Sequence, residues 1–297
     1  MAKAEKSAAD GCWERLEALE ASARSRISLQ MQAFDDAFRL TYEAGVIVPV
    51  LRANGLSVLD VRCAALFFKR TLNDLRAVHN LLLSGYTSQA ASVAAALYEN
   101  ALATNCLTHS QGNIDALLNS ENGELPWSTK QMTKMVSLAE GKKEGSPDYE
   151  NSWRSLYAHY VWLCQCKHPT MQTVLHDVSA TQLDEGYVVM ALPNAKEHDM
   201  PYKAMVAIHS LIRVHECIES FACAVGYPDS WPDNHRFSER FTSAKKVSWE
   251  AFSPFLKAPN PVSIAGSKFV KKYPPVESAA NAEQDGGGQP ATRPESK

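Results

Sequence analysis

Arg154 and His159 stand five residues apart in the run Trp153-Arg-Ser-Leu-Tyr-Ala-His159-Tyr-Val-Trp-Leu-Cys164-Gln-Cys166-Lys-His168-Pro169, where aromatics, histidines, thiols and one arginine crowd together. An arginine holds a phosphate through paired N–H donors, and a histidine moves protons near neutral pH. Cleavage of RNA without a metal ion needs those two residue types and a well-placed ribose 2′-hydroxyl. Arg154 is therefore the candidate phosphate binder, and His159 or His168 the candidate acid–base group. The same run offers a zinc site, with Cys164, Cys166 and His168 joined by His159 or His176. Residues two apart on a helix point about 200° from one another, so the two thiols share an ion only if the helix unwinds before Pro169. Buried free thiols are the plainer expectation, and neither metal nor cofactor is expected.

Glu99 is the next residue of interest, because Ala95, Glu99, Leu102 and Cys106 form an otherwise apolar stripe. A carboxylate there is costly to bury without a partner. His79, His159 and His168 are the partners to expect. His79 itself falls in a core stripe, since Phe68, Leu72, Leu75, His79 and Leu82 recur at helical spacing. Two outcomes stay open: a pocket in which Glu99 orients a basic histidine, with His79 in support, or a satisfied polar network that fixes helix register.

The Arg-x4-His spacing of Arg154 and His159 resembles the motif of the HEPN ribonucleases, an all-helical superfamily whose active site usually forms across a dimer. Those sequences favour an amide or acidic residue after the arginine, where this chain has Ser155. A second likeness covers roughly residues 60 to 225. The run Leu75-Arg-Ala-Val-His-Asn-Leu-Leu-Leu-Ser-Gly85-Tyr-Thr-Ser-Gln-Ala90-Ala-Ser-Val-Ala-Ala-Ala-Leu-Tyr98-Glu99, with Cys164-Gln-Cys-Lys-His168-Pro169 downstream, resembles an uncharacterised bacterial helical domain family of unknown function. That family has a Gly-aromatic joint, an aromatic-Glu pair and a Ser-x3-His-Pro element; this chain has Cys164 in place of the serine, and Ala95 where an arginine is often found. Members look distantly similar to HEPN-type bundles and to proteins of bacterial conflict systems. The likeness implies a helical bundle and a defence- or toxin-associated role on RNA.

The elements that must position these residues are helices. Glycine and proline are nearly absent from 12 to 44 and from 56 to 120. A first helix is expected from about Trp13 to Gly45, stopping near Pro49. A second, capped by Ser57 with Asp60, runs to Ser84-Gly85, and a third from Thr87 to Thr108 folds back on it as an antiparallel hairpin. Residues 109–128 and 141–148 read as loops around a short helix at 129–140. Further helices are expected at 149–167 and 201–225, with 181–200 as a short strand or extended lid. In the last of them His209, Arg213, Glu216 and Ser220 form a polar stripe that reads as a solvated or dimer-facing side.

Of the 297 residues 45% are apolar, enough for a core of ordinary size. A net charge of −3 gives no whole-chain nucleic-acid footprint. Seven scattered cysteines point to a reducing compartment. No run approaches a membrane span, and Met1 to Asp10 lacks the apolar segment of a signal peptide, so the expected location is cytoplasmic. No Glu-x2-His pair, phosphate-binding Gly-x4-Gly-Lys loop or Gly-x-Ser-x-Gly elbow occurs. The expectation is an all-α bundle over 1–243, a Pro-rich extended arm over 244–276 and a disordered tail over 277–297. Two functions compete: a metal-independent RNA-acting protein using Arg154, His159, His168, Glu99 and His79, or a non-enzymatic module that binds a partner protein. A homodimer is open to both.

Overall fold

The structure is a computed structural model that describes residues 11–52, 59–110, 112–120, 124–167, 182–183, 186–187, 193–226 and 234–256. Among these the chain forms the helices α1 (Cys12–Gln30), α2 (Gln32–Arg52), α3 (Leu59–Leu83), α4 (Thr87–His109), α5 (Gly112–Leu118), α6 (Thr129–Ala139), α7 (Pro147–Lys167), α8 (Met200–Ala224) and α9 (Asn234–Leu256). A two-residue pair, β1 (Gln182–Leu183) and β2 (Gly186–Tyr187), is antiparallel, and a 3₁₀ turn at Glu197–Asp199 leads into α8. The fold is an all-α helical bundle, and no helix among the described residues is long and apolar enough to cross a membrane.

The hairpin of α3 and α4 lies at its centre. Gly85, at φ +83°, ends α3: its N–H donates to Leu82 O and the next N–H, of Tyr86, donates to Leu81 O. That pairing of a left-handed glycine with two backward hydrogen bonds reverses the chain within three residues. Asn194 N then donates to Gly85 O at 2.8 Å, which fastens the approach to α8 onto the joint. α4 packs against α3, α6, α7 and α8, and its alanines at 90, 91, 94, 95, 101 and 103 are buried. Small side chains on every side let four neighbours come close. The stripe Phe68, Leu72, Leu75, His79 and Leu82 is buried as its spacing requires. Phe68 stacks on Phe221 of α8, centroids 4.7 Å apart.

Several boundaries differ from the expectation. The long first helix is two, interrupted at Met31, whose φ −108°, ψ 19° leave the helical region. α2 continues past Pro49 to Arg52, the proline falling in its last turns, where few hydrogen bonds remain to be lost. Loop 109–128 contains α5. The arm expected from residue 244 is helical to Leu256: Phe237, Phe241, Ala244, Ser248, Ala251 and Phe252 are buried at helical spacing, and Pro254 comes only at the end. Ser57, the rest of the arm and the tail lie outside the described residues.

Candidate functional site

α7 is set by its ends. Ser146 accepts from Tyr149 N at 3.2 Å, and Pro147 begins the helix, where its missing N–H costs nothing. α6 closes with the same device as α3: Gly141, φ +80°, and backward bonds from Gly141 N to Leu138 O and from Lys142 N to Ser137 O. Lys142 is thereby carried over to α7, where its ammonium donates to Ser152 Oγ at 2.7 Å and to Glu140 at 2.5 Å.

Between α7, α8, the Tyr98 turn of α4 and this joint lies a cavity of about 480 Å³. His159 on its wall meets His209 of α8 with ring centroids 4.2 Å apart, and Trp162, three residues further along α7, lies 5.4 Å from the same His209 ring. Burial, and then the Arg213 charge, hold His159 down at about 4; burial and His159 hold His209 well below its ordinary value. Both imidazoles are neutral at pH 7. Arg213 is 1% exposed, its guanidinium 5.5 Å over the Tyr98 ring and paired with Glu216 three residues on. Arg213 Nε and His209 Nε2 are buried with no hydrogen-bond partner among the described residues. Burial raises the Tyr98 hydroxyl, and Arg213 beside it acts the other way.

The wall therefore holds a cation, two neutral bases that can accept a proton, and hydroxyls of Ser152 and Ser155. Lys142 with Glu140 and Arg213 with Glu216 balance in pairs, which leaves Asp148 as the unmatched charge of the lining. This is a site for one polar group held closely rather than a track for a polyanion.

The residues expected from the sequence divide between places. His159 lines the cavity; Arg154 does not. Five helical residues turn about 140°, and Arg154 instead pairs with Glu150 at 2.8 Å and lies 5.5 Å from the Trp153 ring, which Lys130 and Lys134 also approach. Glu99 is half-buried and accepts from Tyr160 and, at 3.2 Å, from Thr129 Oγ1. Its partners are hydroxyls, not the histidines expected. His79 lies away from this cavity, stacked on Phe38 at 4.9 Å and donating toward Asp35 at 2.6 Å. His168, Cys166 and His176 fall outside the described side chains, and Cys164 forms no disulfide among the described residues.

Sequence reasoning missed His209 and Arg213 as site residues, and took their stripe for a solvated or dimer-facing side. His209, Arg213 and Ser220 are buried. The signal available was the remainder of α8, apolar on nearly every other face, which makes a polar seam an inward one. Comparison of the chain with protein-family models, with curated proteins and with solved structures finds no match in any of the three.

Proposed function

We propose that this chain acts on RNA without a metal ion, at the cavity between α7 and α8. The observation that carries the reading is the neutral His159–His209 pair, 4.2 Å apart, beside the buried Arg213 on one cavity wall. In this reading Arg213 takes the place first given to Arg154 and holds a phosphodiester by its N–H donors. His159 removes the 2′-hydroxyl proton; the 2′ oxygen bonds to phosphorus and the bond to the 5′ oxygen breaks. The products are a 2′,3′-cyclic phosphate and a 5′-hydroxyl, whose proton comes from water at the cavity mouth. His209 supports His159 through the contact of their tilted rings, and the near-balanced charge suits a single flexible nucleotide step, not a duplex. The helical likeness to HEPN-type bundles and the defence- or toxin-associated role it implies belong to the same proposal, as does a cytoplasmic location.

The test is incubation of the full chain with single-stranded RNA labelled at one end, in the presence of a chelator. Cleavage leaving cyclic phosphate ends is expected, with loss of about 100-fold or more in Arg213→Met and His159→Ala and little change in Arg154→Ala. Intact RNA, or an unaltered rate in Arg213→Met, overturns the reading.

One observation favours the second reading, a protein-binding module. Trp249 of α9 is 64% exposed, and it flanks a shallow groove shared with Ile212 and Phe252. A second copy of the chain or another protein would cover it. Sedimentation of the purified chain against Trp249→Glu separates the cases: a dimer lost in the variant supports self-association through α9, and a monomer in both removes it.

A further inference from the structure

A second cavity, of about 530 Å³, opens between α1, α2 and α3, away from the first and independent of the function proposed for it. Its floor is His79, buried and stacked on Phe38. The tautomer of His79 follows from its neighbours. Arg76 has only N–H groups to offer and donates to Nδ1 at 3.0 Å, so the ring proton sits on Nε2 and donates to Asp35 at 2.6 Å. Arg76, His79 and Asp35 thus form one chain of hydrogen bonds that fixes the Arg76 guanidinium at the cavity edge.

Arg24 reaches the same cavity from α1 and donates to the Ser84 hydroxyl at 2.8 Å. Arg39, the third arginine of the lining, is matched by Asp36 and Glu43. Arg24 and Arg76 are different: among the described residues neither forms an ion pair, and their hydrogen-bond partners are a hydroxyl and an imidazole. Two guanidiniums held by a hydroxyl and an imidazole keep most of their donors free. With Arg24, Arg39 and Arg76 set against the carboxylates of Asp35 and Glu43, the lining stays net positive by one charge. Tyr42 of α2 and Leu75 and Leu83 of α3 add apolar surface to the lining. Such a combination, apolar surface and a few convergent polar groups in a volume of this size, is that of a small-molecule site.

We propose that this cavity binds a small ligand ending in a phosphate or carboxylate oxyanion, with Arg24 and Arg76 as its clamp and Tyr42 and Leu83 against its apolar body. Bidentate pairing of a guanidinium with either oxyanion is the chemistry that both ligand classes share.

Titration calorimetry of the full chain with phenyl phosphate, benzoate and benzyl alcohol tests it. At least one of the two anions is expected to bind with a Kd of about 1 mM or tighter, and the alcohol at least about tenfold more weakly. The tighter anion identifies the class of headgroup. Arg24→Gln and Arg76→Gln, both at exposed positions, each weaken the anion about tenfold or more, and Arg213→Met leaves it unchanged, which separates this site from the RNA reading. The proposal is overturned if neither anion binds at about 5 mM, if the alcohol binds as well as the anions, or if the two glutamine variants bind like the parent chain.

Discussion

Lys203 is buried on α8, and its ammonium donates to Asp199, which also accepts from Thr87 Oγ1 of α4 at 2.6 Å. Burial lowers the Lys203 ammonium and Asp199 opposes the shift. Such a pair adds little net stability, but removing one member strands the other charge. Asp199→Leu should therefore cost about 3–5 kcal/mol, and adding Lys203→Met should restore most of it, as read from urea midpoints of the two variants. A single variant as stable as the parent would contradict this. Buried polar residues of this kind are the hardest to read from a sequence. His79 was legible because its apolar neighbours recur around it at helical spacing. Arg213 and His209 were not, since a run of polar types spaced four, three and four looks the same whether it faces water or a cavity between helices. Glu99 was correctly expected to find a partner, but nothing local distinguishes a tyrosine sixty-one residues away from a histidine.

At the scale of elements, turn chemistry carried most of the information. The glycine at 85 marks the α3–α4 joint in the sequence and closes it in the structure, with φ +83° and two backward hydrogen bonds. A methyl group there would stand 2.9 Å from Asn194 N as well as in an unfavourable conformation. Gly141 shares the conformation, φ +80°, with open space around it. Gly141→Ala should cost about 1 kcal/mol from backbone strain alone, and Gly85→Ala about 1–3 kcal/mol more. Denaturant unfolding of the pair measures the difference, and equal losses would show that the contact with Asn194 carries no weight. α9 was less legible for a physical reason. Prolines at 254, 259, 261, 274 and 275 dominate the composition after residue 243, whereas the aromatic stripe that makes residues 234–256 a helix begins ahead of them. The break at Met31 gives no composition signal at all, because no glycine or proline accompanies it.

For the molecule as a whole, the histidines act together. Burial is the first cause that lowers His79, His109, His159, His209 and His215, the last held at about 4 while bonded to Thr41 at 2.8 Å. Unfolded, His159 and His215 would take up protons below about 6.5; folded, they stay neutral down to about 4. The unfolded chain therefore binds more protons across that window, and stability falls as the pH falls through it. Between pH 7.5 and 5 a drop of about 10 °C in Tm is expected. His159→Asn with His215→Asn should flatten the profile, and a Tm independent of pH across this range would refute the linkage. Fold class was legible at this scale because periodicity survives averaging over long helices. Which helices meet depends on contacts between distant segments, and so the location of both cavities was not.

α4, enclosed by four other helices, has a consequence for how the molecule opens. Its amide hydrogens cannot reach solvent by fraying of one neighbour, because three others still cover it. Deuterium should enter the stretch Ala94–Leu107 only when the entire bundle comes apart. The exchange rate of those amides then reports the free energy of complete unfolding, while the outer α5 exchanges much sooner.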